Sequence, residues 1–136
     1  MQIKNKKLLL IVFLISIISF NTSVNAEEFN ITAKEILVDK ENEILIGKES
    51  VKAIDSEGNI IRADKITYEK TREFILAEGN VKISDMEGNV LTTNKATYDK
   101  INELISTFDN TELMLHEGYK LITKNILYNT DKKILN

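Results

Sequence analysis

Apolar and polar residues alternate along most of this chain with a period of two, and the pattern restarts every thirty residues. In the clearest stretch Ile66 and Tyr68 alternate with Thr67 and Glu69, Phe74 and Leu76 with Ile75, and Val81 and Ile83 with Lys82. Runs of this kind, rich in Ile, Val, Thr, Tyr and Phe, read as half-buried strands. Polar breaks separate them at Glu69–Arg72 and Ser84–Asn89, and further breaks fall at Asp39–Asn42, Asp99–Asn102 and Asn129–Lys132. Ile61–Tyr68 aligns with Leu91–Tyr98 and with Leu121–Tyr128, and Ile31–Val38 fits one period earlier with Val38 in the tyrosine position. The turns Glu57-Gly58-Asn59, Glu87-Gly88-Asn89 and Glu117-Gly118-Tyr119 keep the same spacing. In the first two, the Gly-Asn pair is expected to supply the positive φ of a tight hairpin.

A period of this length is one supersecondary unit that cannot bury its apolar face alone, so the fold is expected to be a stack of such units. Each unit supplies an up strand and a down strand, and the chain reads as an antiparallel meander of about seven strands. Its apolar phase also slips. Ile61 and Ala63 are one step out of register with Ile66 and Tyr68, a second slip is read between Leu76 and Val81, and similar ones at Leu91/Thr93 against Ala96/Tyr98 and Leu104/Ser106 against Thr111/Leu113. A strand that changes phase midway carries a bulge or bend. Bends repeated in register would fold every strand over, giving an all-β, V-shaped, taco-like antiparallel β-jellyroll built from two-strand repeats. Taken alone, Glu35–Lys52 also fits an amphipathic helix. The Thr-Tyr pairs and Gly-Asn turns that its repeats carry in register argue against that.

Residues 1–26 stand apart from the repeat. Lys4, Lys6 and Lys7 precede an apolar run, Leu8–Phe20, and Val24-Asn25-Ala26 has the small-x-small form of a signal-peptidase site. The apolar run is 13 residues, short of the roughly 20 that span a membrane. A cleavable signal peptide is therefore expected, against a retained anchor as the alternative. It would leave 27–136 as one domain. Lys133-Ile134-Leu135-Asn136 begins a partner strand and stops. That end is expected either to continue in a longer protein or to be completed by a partner.

Charge and composition narrow the function. Setting aside Lys4, Lys6 and Lys7, 15 of the 18 basic residues remain against all 21 acids, a net charge of −6 for 27–136. This disfavours a nucleic-acid binder and charge-driven attachment to an anionic surface. There is no cysteine, so no disulfide framework and no lipidated cysteine is expected. His116 is the only histidine, and it sits beside a turn. The acids fall in turns such as Asp85/Glu87 and Asp39/Glu41, where they are expected to be solvated. No phosphate loop, catalytic triad or zinc-ligand set is present in the sequence. No enzyme activity, metal or cofactor is expected.

The stretches Ile61-x-Ala63-Asp64-x-Ile66-x-Tyr68 and Ala77-Glu78-Gly79-Asn80-Val81-x-Ile83, followed by Asn94-Lys95-Ala96-Thr97-Tyr98, resemble the OstA-like (LptA-like) domain of lipopolysaccharide-transport proteins. That domain forms LptA and the periplasmic part of LptD. The resemblance covers Phe29 to Asn136. It departs where Glu49-Ser50-Val51 and Asp109-Asn110-Thr111 stand in place of Gly-Asn-Val. The resemblance implies a β-jellyroll whose two layers hold lipopolysaccharide acyl chains. It also implies edge-to-edge joining into a periplasmic bridge from inner to outer membrane, by head-to-tail association with other Lpt jellyroll domains. Pattern alone favours a plain filled core, and the resemblance turns the reading to a lipid trough. The inward, lipid-facing set expected on this basis is Ile36, Val38, Ile44, Ile46, Ile66, Tyr68, Phe74, Leu76, Val81, Ile83, Ala96, Tyr98, Leu104, Leu113, Ile126 and Tyr128. The terminal strands, Phe29–Val38 and Lys120–Tyr128, carry no proline and are open to β-augmentation, unless Lys34, Lys120 and Lys124 act as charged gatekeepers. The competing readings are a structural β-solenoid scaffold with a dry core and, more remotely, a carbohydrate-active enzyme.

Overall fold

The computed structural model describes residues 29–136, so the expected signal peptide lies outside the described residues. The chain runs through β1 (Asn30–Thr32), β2 (Glu35–Asp39), β3 (Ile44–Ile54), β4 (Ile60–Glu69), β5 (Phe74–Ser84), β6 (Val90–Asp99), β7 (Leu104–Phe108), β8 (Thr111–Met114), β9 (Lys120–Thr123), β10 (Leu127–Asn129) and β11 (Ile134–Leu135). All pair antiparallel in one open sheet, ordered β1-β3-β4-β5-β6-β7-β10-β11, with β2 on β3, β8 on β6 and β9 on β8. The expected meander is cut into eleven strands because β1/β2, β7/β8 and β9/β10 each break at a bend that β3 to β6 cross intact.

The bend follows from residue counts. Register shifts fall at Lys48/Val51, Arg62/Lys65 and Glu78/Val81. Inward residues on β4 are Ile61 and Ala63, then Ile66 and Tyr68, with two residues between the pairs. On β5 they are Ile75 and Ala77, then Val81 and Ile83, with three. The extra residue on alternate strands is a β-bulge, which bends and twists its strand. The backbone turns left-handed there at Gly79 (φ 79) and Asn80 (φ 47). Glu49 and Ser50 (φ 61 and 54) and Asp109 and Asn110 (φ 62 and 49) do the same without glycine. The stretches that depart from the Gly-Asn-Val pattern thus keep its geometry, at the conformational cost a non-glycine residue bears in this region.

The turns form two further thirty-residue series. At one end of the strands Gly58, Gly88 and Gly118 have φ 85, 92 and 94. Glycine alone takes the left-handed position there. The asparagine instead reaches back, Asn59 Nδ2 donating to Asp55 Oδ2 at 2.8 Å and Asn89 Nδ2 to Asp85 Oδ2 at 2.7 Å. At the other end Glu43, Glu73, Glu103 and Lys133 are left-handed. Successive turns stack through backbone bonds Lys70 N to Glu43 O, Lys100 N to Glu73 O and Thr130 N to Glu103 O, at 3.0, 3.1 and 2.8 Å.

The core is the inner face of the folded sheet: Val51, Ala53, Ile61, Ala63, Ile66, Tyr68, Ile75, Ala77, Val81, Ile83, Leu91, Ala96, Tyr98 and Ile126, with Phe29. At the bend the residues are small where the backbones come close. A Cβ on Gly47 would lie 2.8 Å from Val51 Cγ1 and 3.3 Å from Ala33 Cβ. In the last repeat the bend becomes polar, with Thr93, Thr107 and Thr111 all buried.

Candidate functional site: an apolar trough between the two arms

Ser56 lies in the turn after β3 and Lys100 in the turn after β6, at opposite ends of the strands. In a flat sheet of ten-residue strands those ends would be roughly 30 Å apart. Here Lys100 Nζ is 3.5 Å from Ser56 Oγ, and Lys133 Nζ is 3.2 Å from Glu87 Oε1. The sheet is therefore folded into a V whose two turn series meet across its mouth.

Between the arms lies a cavity of about 540 Å³, within the roughly 300–1,000 Å³ typical of small-molecule sites. Eight of its apolar lining residues form pairs thirty residues apart, Ile61 and Leu91, Ile83 and Leu113, Tyr98 and Tyr128, Ile105 and Leu135, and Phe29, Met86 and Leu115 complete the apolar lining. Strand pairing sets Ile61, Ile83, Leu91 and Leu113 side by side in one row and Tyr98, Ile105, Tyr128 and Leu135 in another, so the cavity runs across the strands as a trough. Its rim is acidic, with Asp55, Glu57, Asp85 and Glu87 on one arm, and Lys133 reaching over from the other. A second cavity of about 340 Å³ borders Val38, Leu45 and Tyr68, and Phe29 lines both. Burial first, then the Glu103 and Asp55 carboxylates, push the Tyr98 phenol well above the ordinary tyrosine range. A tyrosine phenol is neutral at ordinary pH in any case, so Tyr98 gives the trough a polar group without a charge.

Of the expected inward set, Ile66, Tyr68, Val81, Ile83, Ala96, Tyr98, Leu113, Ile126 and Tyr128 lie on the inner face, and Ile83, Tyr98, Leu113 and Tyr128 line the larger cavity. Ile36 and Val38 pair with Gly47 and Leu45 and share their face. On the edge strand β2 they are 44% and 60% exposed. Five assignments are corrected. Phe74 pairs with Glu69 and Asp99, and Leu76 with Thr67 and Thr97, which puts both on the outer face. Ile44 and Ile46 pair with Glu69 and Thr67, and Leu104 with Asp99, so they are outward as well, although Ile44 borders the second cavity at its turn. The slips read between Leu76 and Val81 and between Leu104/Ser106 and Thr111/Leu113 are not changes of phase, since Ile105, Thr107, Thr111 and Leu113 are likewise all inward. A three-residue bend preserves parity, and the inward series is Ile75, Ala77, Val81, Ile83.

The reason for these errors repeats with the fold. Ile44-Leu45-Ile46, Phe74-Ile75-Leu76-Ala77 and Leu104-Ile105 are unbroken apolar runs, in which period two cannot decide the face. Hairpin register would have decided it. With Tyr68 inward, its partner Ile75 must be inward, and the same holds for Tyr98 and Ile105. The inner residues missed include Leu45, Val51, Ala53, Ile61, Ala63, Ile75, Ala77, Leu91, Ile105 and Leu135, which lie within the repeats, and Phe29, which has no repeat signal. His116 is half exposed, 3.9 Å from Glu117, and among the described residues no group of three His, Cys, Asp or Glu is placed to hold a metal ion.

An open antiparallel jellyroll with an apolar trough between its arms is the class of protein that these features define. No protein-family model matches the sequence, and no curated protein sequence aligns with it. Among solved structures, the chain superposes on LptH from Pseudomonas aeruginosa, described as the LptA homologous periplasmic component of the conserved lipopolysaccharide transport device. The TM-score is 0.73 at 13% identity, over 81% of each chain. The fold is LptA-like.

Proposed function

We propose that this chain is a periplasmic lipopolysaccharide-binding bridge module, carrying the lipid from inner to outer membrane for outer-membrane assembly. The observation that carries the reading is the trough: an apolar-lined cavity of about 540 Å³ left open between the arms, beside the packed inner face. Each acyl methylene buried there would contribute about 0.8 kcal/mol. The likeness to LptH adds weight from the fold. On this reading the exported chain acts in the periplasm as a lipid carrier and not as an enzyme. It is continued at its edges by other jellyroll domains, head to tail. The support for that is at the sheet's ends, where Ile36, Leu37 and Val38 on β2, Leu121 and Ile122 on β9, and Ile134 and Leu135 on β11 are exposed, an arrangement suited to β-augmentation.

Site-specific photo-crosslinking to lipopolysaccharide tests the reading. A photoreactive residue at Ile105, Leu113 or Tyr128 should give adducts, and one at Phe74 or Leu76, on the outer face, should not. Adducts at none of the inner positions in a folded protein would refute the lipid trough and leave the dry-core scaffold.

A further inference from the structure

Phe29 does not belong to the repeat that builds the trough. Its thirty-residue equivalents are Asn59, Asn89 and Tyr119, which all lie at the ends of turns. Yet its side chain is nine-tenths buried, among the inner-face residues. The ring meets Tyr68 edge-on at 5.2 Å and 72°, and Tyr98 at 6.0 Å and 84°. The Lys100 ammonium lies 5.4 Å from its centroid, on the way to Ser56 across the mouth. Phe29 therefore sits at the Tyr68–Tyr98 rung. The 540 Å³ cavity lies on its Tyr128 side, the 340 Å³ cavity on its Val38 side, and it is a wall of both.

What holds the ring there is local. Phe29 directly precedes β1, a three-residue edge strand paired to β3 only through Asn30, Ile31 and Thr32. The rungs beneath it belong to ten- and eleven-residue strands paired on both sides. A guest on a short edge strand is displaced far more readily than the rungs it covers.

We propose that Phe29 is a displaceable plug: an aromatic stand-in for cargo that divides one continuous trough into two and that a long acyl chain must expel to lie across the Tyr68–Tyr98 rung. The inference rests on the trough reading and adds to it a residue that sets how readily cargo passes. While the plug is seated, the binding-competent fraction is small and apparent affinity is reduced by that fraction. Ligands short enough to fit on one side of Phe29 are spared this reduction.

The chain has no tryptophan, so Phe29→Trp places a single reporter at the plug. In the exported protein its emission should be blue without ligand and shift red on saturation with stearic acid. Phe29→Ala should bind stearic acid, whose extended chain is longer than the roughly 14 Å that three strand spacings from Tyr98 to Leu135 span, at least about tenfold more tightly than the parent, whereas Asn30→Ala, next along the chain and exposed, should bind as the parent does. Equal affinity of parent and Phe29→Ala, or emission that stays blue with ligand bound, overturns the plug and leaves the trough standing. Absence of fatty-acid binding by both parent and Phe29→Ala, with Phe29→Trp folded by its blue emission, overturns both.

Discussion

Thr111 stands where the two preceding repeats have Val51 and Val81, all three fully or almost fully buried. By repeat analogy, Thr111→Val should be harmless or stabilising. The structure implies the reverse. Ile126 N donates to Thr107 Oγ1 at 2.8 Å, Thr107 Oγ1 lies 2.8 Å from Thr111 Oγ1, and Thr111 Oγ1 donates to the Lys124 carbonyl at 3.1 Å. With one proton per hydroxyl, this is a directional chain from a backbone N–H to a backbone C=O through two threonines. Thr93 Oγ1, 3.2 Å from Thr111 Oγ1, has the Asp109 carbonyl at 2.9 Å for its own proton. The chain spans the bend where β7 gives way to β8 and β9 to β10, beside the backbone bond from Thr107 N to Ile126 O at 2.9 Å. Valine at 111 would leave the Thr107 hydroxyl without an acceptor and the Lys124 carbonyl without a donor. Each such loss costs about 1–3 kcal/mol, offset by about 0.8 kcal/mol for the added buried methyl. The expected net is about 2 kcal/mol of destabilisation. With a urea slope of about 2 kcal/mol/M, the midpoint should fall by about 1 M. Thr97→Val, on the outer face, is the control, and should stay within about 0.5 kcal/mol. A Thr111→Val protein as stable as its parent would refute the hydroxyl chain as a stabilising feature.

Other outcomes follow from the same geometry. Gly79→Ala should destabilise by about 2 kcal/mol in urea unfolding, because φ is +79 and a Cβ would lie 2.5 Å from Asp64 Oδ2; an unchanged midpoint would mean that the bend adjusts freely. Asp39 and Asp99 are both held below the ordinary carboxylate value of 3.8, first by the side-chain amides of Asn42 and Asn102 and then by their backbone N–H groups. Because the folded values are lowered, that stabilisation is present above pH 3.8 and fades as pH falls through the folded values beneath it. Asn42→Ala/Asn102→Ala should flatten the loss of urea stability below that pH, and an unaltered acid limb would refute the assignment. Lys133→Ala removes an ion pair whose partners are 70% and 59% exposed, and should change stability by less than about 1 kcal/mol, as read by thermal melting.

The bend shows how far the residues could be read directly. The Ile61/Ala63 against Ile66/Tyr68 slip was visible in β4, and the structure puts a register shift there. The partner strand hides its own bulge, since three residues between Ala77 and Val81 leave parity intact. Phe74, Leu76, Ile44, Ile46 and Leu104 were misplaced because long apolar residues on the outer face of a two-faced strand look the same as inner ones. Only pairing with Glu69, Thr67 and Asp99 reveals their side.

Thirty-residue periodicity and period-two alternation by themselves determined the all-β class, the antiparallel meander, the turn positions and the identity of the tyrosine rung, because these depend on local φ/ψ preference and on burying one face of each strand. Three things belonged to the tertiary structure. One was that the two turn series meet, bringing Lys133 to Glu87. Another was that a cavity of about 540 Å³ remains between the arms beside the packed core. The third was that Phe29, from outside the repeat, fills one rung of it. Each depends on the angle through which every strand bends, which the bulges set jointly along the whole sheet and which no single repeat encodes.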